Sequence, residues 1–287
     1  MTNQEMNEKI NQIITDFLFP LKKHENSKEE LAALSLLLRG FVTCNNDSIE
    51  KRPFLLTGIN PSFGSQGGEW KFFPGGYETF TFRGAISDSK RQDYWGKKKV
   101  QFSDDLCKSM AYLDLFPIRE SDQRLFEQVF KNPKLTKLRA DILSITQDAI
   151  EAMSPRLIVH ANKESLYYWG IKKNTPAGDD ANDYEHPWMG YKVKRVTLET
   201  YPDLPPCMLE YDRLSLFPLY EIVGFVDSDK RINHIERQET NLKFIMEYVM
   251  DDRHPNYNGK LYQQNKEKKD WEEIWKWVQD HYAESHK

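Results

Sequence analysis

The sequence predicts an α/β protein built on a mostly parallel central sheet, and three observations lead there. Short apolar runs recur at 53–59, 110–115, 155–162 and 220–226. Capped or amphipathic helical stretches separate them. The resulting order of strand, loop, helix, strand, helix and strand calls for a parallel sheet with helices on its faces. A three-layer α/β/α arrangement with extra helices at both termini is the expected architecture.

Residues 3–20 and 27–42 read as helices. Ser27 and Glu30 have capping-box spacing, and Leu31, Leu34, Leu37 and Leu38 form one apolar face. "PFLLTGI" (53–59) is a short buried strand, with Pro at its start and Gly near its end. Residues 60–100 are rich in glycine and aromatics without a period, which reads as a long functional loop. Ser103 caps a helix over 103–109, and a strand at 110–115 ends before Pro117. Residues 134–153 form a long amphipathic helix, 155–162 a third strand, and "KESLYYWG" a helix closed by Gly170. Strands follow near 191–200, 207–211 and 220–226, then a helix at 238–250. The chain so divides into one domain over 1–250, with its core at 53–250 and N-terminal helices within 1–45. Residues 251–287 are a linker and a last helix, "DWEEIWKWVQDHY", whose Trp271, Ile274, Trp275 and Val278 share a face for packing on the body.

The chain has 287 residues, enough for a sizeable core, and a formal net charge of -4. That balance advertises no global affinity for nucleic acid, so any basic footprint is local. Cys44, Cys107 and Cys207 form no CxxC pair, which argues against zinc and disulfides and for a reducing cytoplasm. The N-terminus lacks the basic-then-apolar pattern of a signal peptide, and no run reaches the roughly 18 apolar residues of a membrane span. The expectation is a cytoplasmic protein without a membrane or metal partner.

Parallel sheets bind ligands beyond the carboxyl ends of their strands. That rule gathers Asn60, Asp114 and Asn162 on one rim. "LLTGINPSFGSQGGEW" (55–70) ends a buried strand in an Asn-Pro pair. Read alone, this is an ordinary turn. Read as a site, Asn60 presents a carboxamide from a point stiffened by Pro61, and the backbone at Gly58, Ile59, Ser62 and the following glycines can approach a ligand closely. "YWGKKKVQF" interleaves aromatics with Lys97, Lys98 and Lys99. It is a solvated face or, in the same loop as the site, a phosphate-binding strip. "YKVKRV" (191–196) is a second basic strip.

"GINPS" resembles the first motif of the uracil-DNA glycosylase superfamily, nearest its single-strand-selective and mismatch-specific branches, where the pattern is Gly-hydrophobic-Asn-Pro-Gly. The resemblance implies a uracil-DNA glycosylase-like fold, DNA as partner, no metal or organic cofactor, and a water-positioning role for Asn60. Ser62 stands where the family has glycine. "YLDLFPI" (112–118) is similar to the family's Asn-Leu-x-Pro strand end, which places Asp114 where an asparagine reads the flipped base. Asp114 could instead cap the strand end or pair with Arg119, itself a candidate phosphate contact. Phe73, with Phe72 or Tyr77, could stack on the base. The family's His-Pro-Ser loop is missing, and His234 is the remaining candidate for stabilising the leaving base.

An amide suits uracil, whereas an ionised carboxylate only accepts hydrogen bonds and welcomes the amino group of cytosine. Cytosine N3 is an acceptor too, so a facing carboxyl needs a proton, which burial supplies by raising its pKa. The resemblance implies monofunctional hydrolysis of an N-glycosidic bond. Its base is a modified cytosine, hypermodified phage cytosine included, in which case excision is an antiviral defence, or a damaged base such as uracil, in which case it is DNA repair. The alternatives are a nucleoside or nucleotide hydrolase on the same fold and a catalytically silent DNA-binding module.

Overall fold

The computed structural model describes residues 1–21, 27–37, 39–45, 49–61, 77–81, 102–160, 162, 164–186, 188–196, 203–208, 218–226, 243–247 and 260–284. Within them, helices α1 (Asn3–Leu21) and α2 (Lys28–Leu37) precede strands β1 (Phe41–Asn45), β2 (Phe54–Gly58) and β3 (Tyr77–Thr81). Then come α3 (Asp104–Ser109), β4 (Ala111–Asp114), α4 (Gln123–Phe130), a 3₁₀ turn at Pro133–Leu135 and α5 (Thr136–Met153). The order continues with β5 (Leu157–His160), α6 (Ser165–Tyr168), β6 (Tyr191–Arg195), β7 (Leu219–Phe225), β8 (Lys243–Glu247) and α7 (Lys260–Glu284).

Six strands form one mixed sheet in the order β4-β2-β5-β8-β7-β6, and β1 and β3 pair in a separate two-stranded sheet. β4, β2, β5 and β8 run parallel, while β7 is antiparallel to both β8 and β6. Both faces are covered, which is why β2, β4 and β5 are buried at every position. Leu55, Ile59, Leu113 and Ile158 pack on one face with residues of α1, α2, α4 and α5. Phe54, Leu56, Tyr112 and Val159 pack on the other with α3 and α7. This is the expected α/β class with helices on both sides of a mostly parallel sheet.

Local chemistry sets most boundaries. The Ser27–Glu30 capping box forms, with reciprocal bonds of 2.8 and 3.3 Å. Ser103 caps α3, and Asp122 caps α4 by accepting from the amides of Arg124 and Leu125. α7 places Trp271 against Phe54 and Phe102, with ring centroids 5.8 and 5.2 Å apart. Ile274, Trp277 and Val278 are buried beside it.

Several expectations need correction. The second helix stops at Leu37 instead of reaching 42, because Gly40 takes φ 73° and Phe41 enters β1. Residues 243–247 are strand β8 rather than part of a helix at 238–250. Phe244 and Met246 serve one face of the sheet and Ile245 the other, and such an all-apolar run has no period to separate strand from helix. Residues 206–208 are helical, not the start of a strand. The last helix begins at Lys260, within the stretch read as linker, and α4 lies in a stretch read without an element.

Candidate functional site at the carboxyl rim

β2 and β4 end side by side, with Gly58 the cross-strand partner of Asp114. Their pairing continues past both strands: Leu115 donates to Gly58 O, Phe116 to Ile59 O and Glu120 to Pro61 O. The turn at 58–61 is thereby zipped against 114–120. Alternation along β4 puts Tyr112 and Asp114 on the same face. The Tyr112 hydroxyl donates to Asp114 Oδ1 at 2.7 Å. Gly58 makes room for this pair, since a Cβ there would lie 2.3 Å from Asp114 Oδ1 and 2.7 Å from the Tyr112 oxygen.

Asp114 is only 6% exposed and accepts from the Tyr112 hydroxyl. Burial pushes its carboxyl up to about 7, against a smaller downward pull from the Tyr112 hydroxyl. A carboxyl in that range exists as acid and as anion near neutral pH. With Oδ1 already accepting from Tyr112, the acid's proton is best placed on Oδ2. The group then offers a donor beside an acceptor.

Asn60 is held from four sides. Its Nδ2 donates to the carbonyls of Pro61, Ile118 and Glu120 at 3.1, 3.0 and 2.8 Å, and its Oδ1 accepts from Gln123 Nε2 at 2.8 Å. The three carbonyls fix the amide orientation, because only the NH₂ end can face them. Glu120 is anchored in turn by an ion pair with Arg39 and by the amide of Asp122. The carboxamide staples the β2 turn to the segment after β4. Oδ1 keeps one lone pair beyond the bond from Gln123.

A third set of contacts ties β5 to the same turn. Asn162 Oδ1 accepts from the Ile59 amide at 3.3 Å, and Asn162 O accepts from Ser165 Oγ at 2.5 Å. His160 Nδ1 meets Thr57 Oγ1 at 3.1 Å and Ser165 Oγ at 2.9 Å. Each hydroxyl also has a carbonyl within reach, Val159 O for Thr57 and Asn162 O for Ser165. The arrangement therefore favours a proton on Nδ1. Burial drives the His160 pKa down to about 3, so the ring is neutral. His160 and Thr57 point to the sheet face opposite Asp114, as cross-strand pairing and alternation require.

Of the residues picked from sequence, Gly58, Ile59, Asn60, Asp114 and Asn162 meet at this rim, and Arg119 lies half-buried in the segment after β4. His234, Ser62, Phe73 and Lys97, Lys98 and Lys99 lie outside the described residues. The second basic strip falls on β6, the far edge strand from β4. Its Lys192 and Lys194 are exposed, and the Arg195 guanidinium lies 5.5 Å over the Tyr220 ring. Tyr112, Gln123, Thr57, His160 and Ser165 were missed. Tyr112 was within reach of alternation alone, as position i−2 to Asp114 on a strand. Cys107 and Cys207 are buried, and the Cys207 thiol donates to Asp270 O at 3.5 Å.

Among the described residues no helix is long and apolar enough to cross a membrane. Also among them, the ligand atoms of Asp183, Glu185 and His186 lie within 4.8 Å of one another on the loop before Trp188. No family model, curated protein or solved structure matches the chain.

Proposed function

We propose that the chain is a monofunctional DNA glycosylase of uracil-DNA glycosylase type, hydrolysing the N-glycosidic bond of a flipped base. The observation that carries this reading is the Gly58–Tyr112–Asp114 cluster, a buried carboxyl at the sheet rim beside the fixed carboxamide of Asn60. A flipped base costs a few kcal/mol to extrude and must be repaid by stacking and edge contacts. A carboxylic acid at the rim supplies such an edge: Oδ2–H donates to cytosine N3 while Oδ1 accepts from the N4 amino group. Modified cytosines keep both groups when the substituent sits on C5. The ionised form turns two acceptors toward N3 and loses that fit.

Asn60 Oδ1 accepts a hydrogen from water and holds the water oxygen toward C1′. As the C1′–N bond lengthens, its electron pair leaves with the base and the water oxygen bonds to the oxocarbenium-like carbon. The water's proton passes to solvent. Positioning and fixed dipoles carry this chemistry, since Asn60 is too weak a base to take the proton itself. The basic run at 97–99 is the proposed phosphate contact, which makes binding fall with salt.

The test uses oligonucleotides carrying uracil, cytosine, 5-hydroxymethylcytosine or glucosylated cytosine, with abasic sites revealed by alkali. Release of a cytosine-type base, lost in Asp114→Ala, is the expected result. Robust uracil release with silence on every cytosine contradicts the base assignment. Turnover of free nucleosides without DNA turnover points to a nucleoside hydrolase. Salt-sensitive DNA binding with no base release points to a silent binding module.

A further inference from the structure

On the sheet face opposite Asp114, the first turn of α5 holds an unusual charge. Arg139 is 3% exposed and its guanidinium folds back so that Nη2 donates to Thr136 Oγ1 at 3.1 Å. Among the described residues its Nε and Nη1 have no hydrogen-bond partner, and Tyr168 Oη and Trp188 Nε1, both buried, also lack one there. The guanidinium lies 4.6 Å over the Trp188 ring, and its charge draws the Tyr168 pKa down against a larger upward push from burial. Neighbouring carboxylates are otherwise engaged: Glu127 pairs with Lys131, and Glu164 with Lys173.

This arrangement is incomplete as it stands. Arginine does not shed its proton in a protein, so burial cannot be relieved by neutralisation. The ring face of Trp188 offsets part of that cost. The location adds to it: the N-terminus of an 18-residue helix carries partial positive charge and normally attracts anions. Here Leu135 provides no side-chain cap, and the first turn contains no acidic residue. A buried cation therefore sits at the positive end of a helix, with two of its nitrogens and the Trp188 indole N–H unsatisfied among the described residues.

We infer that the first turn of α5, with Arg139, Tyr168 and Trp188, is a binding site for a small oxyanion. The anion accepts from Arg139 Nε or Nη1 and from the Tyr168 hydroxyl, with the Trp188 indole as a further donor. Thr136 is half-buried, so the turn meets solvent and offers an entry. The site stands apart from the rim, on the other face of the sheet, and does not depend on the proposed glycosylase activity.

Thermal unfolding of the full chain in inorganic phosphate, against potassium chloride at equal ionic strength, tests this. A ligand that binds only the folded state raises Tm in a saturating, concentration-dependent way. The wild type is expected to show such a rise in phosphate over chloride, and Arg139→Met is expected to lose it. Arg139→Met should still fold, because replacing a buried charge with an apolar chain of similar length is often neutral or stabilising. Should it not fold, Tyr168→Phe removes one donor and is expected to shift the saturation midpoint to higher phosphate. Formate in place of phosphate separates the sources: a response to formate alone assigns a carboxylate. Absence of any oxyanion-specific rise in the wild type, an equal rise in Arg139→Met, or an unmoved midpoint in Tyr168→Phe would overturn the inference.

Discussion

The Tyr112 hydroxyl and Asp114 Oδ1 lie 2.7 Å apart, and both crowd the Cα of Gly58 on the neighbouring strand. A rim carboxyl is thereby held buried, in one orientation, with the Tyr112 phenol as its hydrogen-bond donor. That relationship governs both the stability and the proposed chemistry of the site.

Gly58→Ala should be severely destabilising for a one-carbon change. The new Cβ would fall 2.3 Å from Asp114 Oδ1 and 2.7 Å from the Tyr112 oxygen, so the strands must part or the pair must break. Overpacking of this kind costs about 1–3 kcal/mol. Urea denaturation should show a lower midpoint at unchanged m-value, whereas a wild-type midpoint would mean that the pair relaxes freely.

Asp114 and His160 pull stability in opposite directions with pH. The Asp114 pKa is raised from 3.8 to about 7 in the fold. Its contribution is present below 3.8 and lost as pH rises through about 7. The His160 pKa is lowered from 6.5 to about 3, so the fold favours its neutral form. That contribution is present above 6.5 and lost as pH falls toward 3. Between pH 4 and 6.5 the two trends offset each other. Asp114→Asn should remove the first, so the variant gains roughly 2–3 kcal/mol on wild type between pH 5 and pH 8. His160→Gln should leave a stability that falls as pH rises over 4–6.5. Chemical denaturation of the three proteins across pH 4–8 checks this, and parallel profiles would contradict it.

Asn60→Asp should destabilise more than Asn60→Ala. The Ala variant removes the bonds to the three carbonyls and to Gln123, although Pro61 O keeps the Glu120 amide as a donor, a loss of about 1–3 kcal/mol. The Asp variant turns a carboxylate toward the carbonyls of Pro61, Ile118 and Glu120, which repel it. Comparing the two variants by urea denaturation at pH 7 decides the order. Equal midpoints would mean the staple carries no orientation.

Trp271→Ala should cost about 3–5 kcal/mol, the usual loss for a buried aromatic. Trp271 is 2% exposed and packs edge-on against Phe54 of β2 and against Phe102. The effect, read by thermal unfolding, would show that α7 belongs to the core under the rim. A surface-like change would detach it.

The sheet's central strands and the position of the rim were legible in the sequence because buried parallel strands are short apolar runs punctuated by Gly and Pro. β8 was not, since Phe244, Ile245 and Met246 bury on both faces and carry no period. The loop at 58–61 and Asp114 were found through local motifs. Their partners were not, because Gln123, Thr57, His160 and Ser165 reach the rim only through strand register and helix placement. The fixed amide of Asn60 shows the limit of a motif: "GINPS" announces a carboxamide at a strand end, but its three carbonyl partners come from Pro61 and the segment after β4. Arg139 was hidden for a related reason, since a lone Arg on an amphipathic helix reads as solvated until its neighbours are known.

The most direct test of the central claim is mass spectrometry of free bases released from varied genomic DNAs, heavily modified phage DNA included. Wild-type protein is expected to release a cytosine-type base, and Asn60→Ala and Asp114→Ala, verified as folded, are expected to release none. Failure of the wild type to release any base, or undiminished release by Asn60→Ala, would contradict a glycosylase role for this rim.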